Sequence, residues 1–189
     1  IDPKARFRNY ESAFFWLYDS RIVNIAYNTF APTIGLVMNT ERSTLRCYLA
    51  DTGLLVSLAF GERGQMPVEV YERLLHDKLE SNMGMVMENI VAQMLIAAGH
   101  KLFFYNHIDR KDASNDMEID FLITKSIITS RKNICPIEVK SSTSFTITSL
   151  EKCMSKFNQS IGHAYVLHTG DVQLTDKITY LPLYMTGLL

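Results

Sequence analysis

The residues with the clearest chemical potential in this sequence are Asp120, Glu138 and Lys140. They lie in two short strand-like segments, Met-Glu-Ile-Asp-Phe-Leu-Ile at 117–123 and Pro-Ile-Glu-Val-Lys at 136–140. If the two segments pair as neighbouring strands, two carboxylates and one ammonium group meet in a small acidic pocket. Hard divalent metals such as Mg²⁺ select oxygen ligands of this kind. The pattern therefore predicts a magnesium site.

Alternation of side chains along each strand assigns the two faces of this predicted hairpin. The predicted core face comprises Ile119, Phe121 and Ile123 from the first segment and Ile137 and Val139 from the second. The predicted opposite face comprises Glu118, Asp120, Glu138 and Lys140. Pairing in register would bury the apolar residues and gather the charged ones.

A further acidic residue, Glu88, lies on the most regular predicted helix, which spans 86–98. It shares one side of that helix with Val91 and Leu95. A carboxylate at the edge of an apolar face is costly to bury unless it finds a partner. With the three strand residues it forms a set of three carboxylates and one ammonium group. A bound cation would relieve the repulsion in this set, and without one a raised carboxyl pKa is the expected substitute.

A magnesium ion held by such a set would activate a water molecule against a phosphodiester. Lys140 would offset negative charge on the phosphorus oxygens or orient that water. The alternative interpretation is structural, with Glu138 and Lys140 as an ion pair on a half-exposed strand and Asp120 as an accidental neighbour. A second acidic-x-Lys triplet, at 109–111, lies in a polar loop without any surrounding strand pattern. Composition and spacing alone leave both interpretations open.

Composition restricts the class of protein. The chain has 189 residues, of which 47% are hydrophobic and 21% charged, as in an ordinary globular protein. No apolar run reaches the length of a membrane span, and no secretory signal is visible. Three widely spaced cysteines argue against a zinc site or a disulfide scaffold and favour a cytoplasmic location. A net charge of −1 lacks the basic excess that strong unaided binding of nucleic acid usually requires.

The order of predicted elements indicates an α/β fold. The second half should contain a helix, three strands, a helix and further strands in a mixed central sheet, at 86–98, 102–105, 117–123, 136–140, 148–158, 164–168 and 178–184. The first half should contain a helix at 10–18, strands at 21–27 and 45–49, and a helical turn through Leu58. We therefore expect a small winged-helix-like α+β segment at 1–60, a helical connector at 61–82 and an α/β domain at 83–189.

The combination of these motifs resembles the PD-(D/E)XK restriction-endonuclease-like superfamily, with Glu88 on a helix, Asp120 on one strand and Glu138-Val-Lys140 on the next. More narrowly, the chain resembles the uncharacterised C-terminal region of bacterial and archaeal AAA-type ATPases. The stretches that carry this resemblance are 45–55, 84–95, 118–122, 136–142 and 180–184. The stretch between the two strands, 124–135, is longer and more basic than the superfamily pattern.

The resemblance implies a role for each site residue. Asp120 and Glu138 would be metal ligands, with the carbonyl oxygen of Val139 as a third. Glu88 would be an additional or supporting ligand, and Lys140 the catalytic cation. The metal would be Mg²⁺, with Mn²⁺ as a substitute.

The resemblance also implies an upstream ATP-binding core as a partner. This sequence contains no Gly-x-x-x-x-Gly-Lys-Ser/Thr loop, so we expect no ATP site in it. The leading hypothesis is a nuclease-like domain acting on nucleic acid such as DNA. The competing hypotheses are a catalytically silent module that binds nucleic acid or protein for the ATPase, and a purely structural assembly domain. The sequence does not indicate an oligomeric state, and whether the domain is an enzyme stays open at this point.

Overall fold

A computed structural model of the chain describes residues 9–60, 83–125, 132–142 and 144–189, together with Val68 and Glu72. Its strands form one eight-stranded mixed sheet. The strands are β1 (Val23–Thr29), β2 (Thr40–Leu49), β3 (Phe103–His107), β4 (Met117–Thr124), β5 (Ile134–Val139), β6 (Ala164–His168), β7 (Gln173–Leu174) and β8 (Ile178–Pro182). Their order across the sheet is β2-β1-β3-β4-β5-β6-β8-β7. The expected mixed α/β class is confirmed.

The described helices are α1 (Glu11–Asp19), α2 (Thr52–Phe60), α3 (Met83–Ala97) and α4 (Thr148–Lys156). Short 3-10 turns lie at Leu36–Asn39, Ala113–Asn115 and Leu183–Leu188. The predicted helices at 86–98 and 148–158 are confirmed to within a few residues. Among the described residues, no helix is both long enough and apolar enough to cross a membrane.

The N-terminal strands belong to the same sheet as the rest of the chain. β1 pairs antiparallel with β2 and parallel with β3, through Tyr27 opposite Phe103. The two strands predicted in this segment are therefore present, but they extend the central sheet rather than forming a separate one in the described part. A winged-helix-like identity for residues 1–60, and the boundary to an 83–189 domain, stay predictions. The connector predicted at 61–82 lies outside the described residues, apart from Val68 and Glu72.

Two apolar layers cover the sheet, one on each face. Helix α3 contributes Val91, Ala92 and Leu95 to the first layer, which we call the α3 face. The sheet residues of that face include Phe104, Phe121, Ile123, Ile137 and Leu167. Helix α4 contributes Leu150 and Cys153 to the second layer, the α4 face. The sheet residues of that face include Phe103, Ile119, Leu122, Ile134 and Val166.

A β-bulge in β4 changes the facing that simple alternation predicts. Phe103 pairs with Leu122 and Tyr105 with Ile119, so two steps along β3 oppose three along β4. The extra residue falls at Asp120–Phe121, opposite the residue between the two β3 partners. Bulges of this kind redirect side chains and often lie beside functional sites. The prediction that Ile119, Phe121 and Ile123 share one face is wrong, because Ile119 packs on the α4 face and the other two on the α3 face.

Asn89 joins the N-terminal strands to helix α3. It is 2% exposed, and its side chain makes three hydrogen bonds. Its Oδ1 accepts from the Leu49 N–H at 2.8 Å, and its Nδ2 donates to the Leu49 carbonyl and the Thr52 hydroxyl, each at 3.0 Å. The amide therefore completes the backbone bonding at the end of β2, inside the core.

Replacing Asn89 with Ala should destabilise the protein by about 2–4 kcal/mol, because it removes three hydrogen bonds of a buried side chain and takes the partners from both backbone groups of the half-buried Leu49. Denaturant unfolding monitored by circular dichroism measures the change. The matched control is Asn115→Ala, since Asn115 is exposed and donates one side-chain bond to Asp109, so its loss should cost below about 1 kcal/mol. Equal stabilities of the two variants would contradict the role given to Asn89.

Candidate metal and phosphodiester site

Asp120 lies where strands β4 and β5 separate. Their paired residues run from Thr124–Ile134 to Phe121–Ile137. Asp120 is the next residue of β4 beyond the last of these pairs. Its Oδ2 accepts a hydrogen bond from the Val139 N–H at 2.8 Å, so the carboxylate spans the opening between the two strands. Burial raises the pKa of Asp120, while the Val139 N–H and the nearby Arg46 and Lys140 charges act to lower it. The bulge and the strand separation together explain why this carboxylate is placed here.

Glu138 is buried beside Lys140. The Lys140 Nζ donates to Glu138 Oε1 at 2.7 Å, and the Glu138 side chain is 9% exposed. The other carboxylate oxygen, Oε2, is buried without a hydrogen-bond partner among the described residues. Burial and the Asp120 charge raise the pKa of Glu138 to about 7, and the Lys140 ammonium partly offsets them. A buried carboxylate oxygen that lacks a hydrogen-bond partner is suited to bind a cation.

Glu138 and Lys140 extend toward the α4 face. Glu138 pairs in register with Val166, which packs on that face, whereas Val139 packs on the α3 face. Burial raises the pKa of the Cys153 thiol on α4, and the Glu138 charge also raises it. The predicted single charged face is therefore wrong in part, because Asp120 follows the bulge toward Arg46 and the α3 side.

Glu88 approaches the site from helix α3. Its Oε2 accepts a hydrogen bond of 3.4 Å from the Tyr48 hydroxyl. Burial and the Asp120 charge raise the pKa of Glu88 to about 7, while Arg46 acts to lower it. Glu88 is thus electrostatically linked to Asp120, but the structure gives no direct contact between it and Glu138. Its role as an additional ligand stays a prediction.

Arg46 is a site residue that the sequence interpretation missed. Its guanidinium forms an ion pair with Glu118 and lies 3.7 Å from Asp120 Oδ1. The same group covers the Phe104 ring at 4.5 Å from the ring centroid, a favourable cation–π arrangement. The alternation of Arg46 and Tyr48 with apolar residues along β2 was visible. No local pattern indicates that β2 joins this sheet.

The site fits a cation held by two carboxylates better than one held by three. Within the described ranges, no three His, Cys, Asp or Glu side chains are arranged as a group that could hold a metal ion. Mg²⁺ commonly takes only one or two carboxylates and keeps several waters. Asp120 spans the opening between β4 and β5 from the α3 side, and Glu138 Oε2 on β5 has no hydrogen-bond partner among the described residues. A cation shared by the two carboxylates would therefore have to lie in that opening, which matches this smaller requirement. Val139 contributes its N–H to Asp120, and a ligand role for its carbonyl oxygen stays a prediction.

Comparison with known proteins gives a family but no characterised relative. No curated protein and no solved structure matches the chain. A family model described as "Domain of unknown function (DUF4143)" matches residues 83–185. This range contains Glu88, Asp120, Glu138 and Lys140, whereas Arg46 and Tyr48 lie before it. Because the match covers more than half of the 189 residues, the chain belongs to the DUF4143 family.

Proposed function

We propose that this chain is a restriction-endonuclease-like domain that handles phosphodiesters of nucleic acid with the help of Mg²⁺. The observation that carries the proposal is the arrangement of a buried carboxylate, Glu138, and a half-buried one, Asp120, on separating strands, with Lys140 at 2.7 Å from Glu138. Charge pairs on protein surfaces are common, but here the carboxylate of the pair is buried and one of its oxygens has no partner among the described residues. That combination favours a site over an ordinary ion pair.

Each residue has a distinct task in this proposal. Asp120 and Glu138 would hold the cation, and the Val139 N–H fixes the orientation of the Asp120 carboxylate. When bound, Mg²⁺ supplies an activated water and stabilises the leaving oxygen. The Lys140 ammonium would offset the negative charge that develops on the phosphorus oxygens. Glu138 must lose its proton to take part, so protons compete with the cation below its metal-free pKa of about 7.

The proposed partner is an ATP-binding core of the AAA type, in line with the resemblance of the chain to C-terminal regions of such ATPases. A net charge of −1 gives little long-range attraction for nucleic acid. We therefore propose that productive contact with DNA depends on the bound cation and on the ATPase core.

A catalytically silent module is the second candidate, and one observation favours it. Arg46 already places a positive charge beside Asp120 and Glu118, so part of the carboxylate cluster is neutralised by the protein itself. In this second proposal the same fold binds nucleic acid or a protein partner, and the charged cluster only maintains the junction of β2 with the rest of the sheet.

Cleavage of supercoiled plasmid and of single-stranded DNA, with Mg²⁺ or Mn²⁺, separates the two candidates. The wild type should nick or cut, and Lys140→Gln should lower the rate by roughly 100-fold, because it removes the fixed cation near the reacting phosphate. The matched control is Lys156→Gln on helix α4, which should stay within a few-fold of the wild type. Absence of wild-type cleavage even with the ATPase core present would reject the nuclease proposal in favour of the silent module.

A further inference from the structure

A cavity that the proposed chemistry does not use lies between helix α1, strand β1 and the start of strand β3. Its volume is about 520 Å³, within the range of roughly 300–1,000 Å³ that is typical of small-ligand sites. None of the residues proposed for the metal site borders it. The cavity is therefore a separate candidate for binding a ligand.

Four aromatic rings form the walls of this cavity. Phe15 and Tyr18 are three residues apart on helix α1 and so lie on the same side of it. Tyr27 of β1 pairs with Phe103 of β3, and all four residues border the cavity. The ring contacts of the described residues include none between any two of these four. The walls therefore suit a flat apolar group.

The border of the cavity carries positive charge. Arg42 of β2 and Lys101 are both exposed and both border the cavity. Lys101 follows Gly99, which has a φ of 90° and turns the chain after the end of helix α3. Among the described residues, none that borders the cavity is acidic, and neither cation forms an ion pair. Both charges are available to an anionic ligand.

The half-buried Tyr27 supplies a hydroxyl group near one of these cations. Burial and the nearby Tyr18 phenol raise the pKa of Tyr27, whereas the Arg42 charge acts to lower it and the Glu11 charge to raise it. The phenol and the guanidinium are therefore within electrostatic reach of each other. In the described part of the chain, the Tyr27 hydroxyl has no hydrogen-bond partner. Two cations against the Glu11 carboxylate leave a surplus of one positive charge.

We propose that this cavity binds a small aromatic carboxylate. The ring of the ligand packs between the aromatic walls, and its carboxylate pairs with Arg42 and accepts a hydrogen bond from the Tyr27 hydroxyl. A guanidinium group matches the geometry of a carboxylate with two parallel hydrogen bonds. The surplus of one positive charge favours a monoanion over a phosphate dianion. The proposal goes beyond the proposed function and does not depend on it.

Isothermal titration calorimetry of the whole chain with 2-naphthoate tests the charge of the ligand. EDTA is present, so that no metal ion can recruit the carboxylate, and 2-naphthalenemethanol serves as an uncharged ligand of similar shape. We expect the wild type to bind 2-naphthoate about tenfold more tightly than the alcohol. Arg42→Gln should abolish this preference, and Tyr27→Phe should weaken 2-naphthoate binding roughly threefold. The matched control is Arg110→Gln, an exposed change between β3 and β4, which should bind as the wild type does.

A second pair of variants tests the location of the ligand. Val37 borders the cavity and is 62% exposed, so Val37→Trp adds a large ring at the cavity without disturbing the core. Met38 is 87% exposed and does not border the cavity, so Met38→Trp makes a comparable change beside it. We expect Val37→Trp to weaken both ligands by about tenfold or more and Met38→Trp to leave both affinities unchanged.

Equal binding of the two ligands by the wild type would overturn the carboxylate assignment. Equal affinity of Arg42→Gln and Arg110→Gln for 2-naphthoate would overturn it as well. If Val37→Trp bound 2-naphthoate as tightly as Met38→Trp does, the ligand would lie elsewhere and the site would be wrong. Absence of 2-naphthoate binding by the wild type would also reject the site.

Discussion

Replacing Asp120 with Asn should weaken binding of Mn²⁺ or Mg²⁺ by roughly 100-fold. The substitution removes one of the two carboxylates proposed as ligands. It preserves the fold, because the amide oxygen of Asn can still accept the hydrogen bond from the Val139 N–H at the 2.8 Å position of Asp120 Oδ2. Isothermal titration calorimetry of the whole chain measures the loss directly.

The matched control for this experiment is Asp176→Asn, which makes the same chemical change at an exposed position between β7 and β8. Metal affinity of the control should equal that of the wild type. Equal affinity of Asp120→Asn and wild type would place any bound metal elsewhere. Absence of binding by all three proteins would favour the silent module.

The second large effect concerns pH and stability. Burial and the charge of Asp120 raise the pKa values of Glu88 and Glu138 to about 7. The unfolded chain returns them to near 4.3. Between these values the folded protein binds more protons than the unfolded chain, so these groups make the unfolding free energy fall as the pH rises. Their favourable contribution is fully present below the unfolded pKa and is lost as the pH passes about 7.

Without metal, the protein should therefore lose on the order of 2 kcal/mol of stability between about pH 5 and about pH 8 from this cluster. Glu138→Gln should reduce that loss, because its amide stays neutral throughout. Glu151→Gln, an exposed change on helix α4, should leave it unchanged. Urea unfolding at several pH values measures the slopes, and identical slopes for the two variants would contradict the raised pKa of Glu138.

Added Mn²⁺ should restore part of the stability lost at high pH, because it binds the ionised carboxylates of the folded state. The restoration should be larger at about pH 8 than at about pH 6, where protons compete with the metal for Glu138. If Mn²⁺ stabilised the protein equally at both pH values, Glu138 would not be one of its ligands.

Local patterns predicted the elements of this fold well. The apolar stripe through Val91 and Leu95 predicted helix α3. Alternation led to β4 and β5. These signals are local, since they depend on residues a few positions apart, and for this reason they needed no knowledge of the sheet.

The bulge at Asp120–Phe121 was the main local feature that alternation missed. Three consecutive apolar residues, Phe121, Leu122 and Ile123, break the expected period of two, and all three are buried. This run was the available signal. It was not decisive because a strand covered on both faces by helices gives the same continuous apolar pattern without any bulge.

The contribution of β2 to the site was beyond local pattern. Arg46 comes within 3.7 Å of Asp120 although 74 positions separate them in sequence. The contact between Arg46 and Asp120 depends on the strand order β2-β1-β3-β4. Hydrophobic periodicity within a segment does not indicate this order. The pair Glu138 and Lys140, by contrast, is two residues apart and was predicted from spacing alone.

The central claim is that Asp120 and Glu138 share one divalent cation. The most direct test is a ¹³C NMR pH titration of the Glu138 side-chain carboxyl carbon with and without Mg²⁺, using Glu138→Gln for assignment. We predict a pKa of about 7 without metal and a clear decrease with saturating Mg²⁺, which is abolished in Asp120→Asn. A pKa of Glu138 that is the same with and without Mg²⁺ would contradict the account.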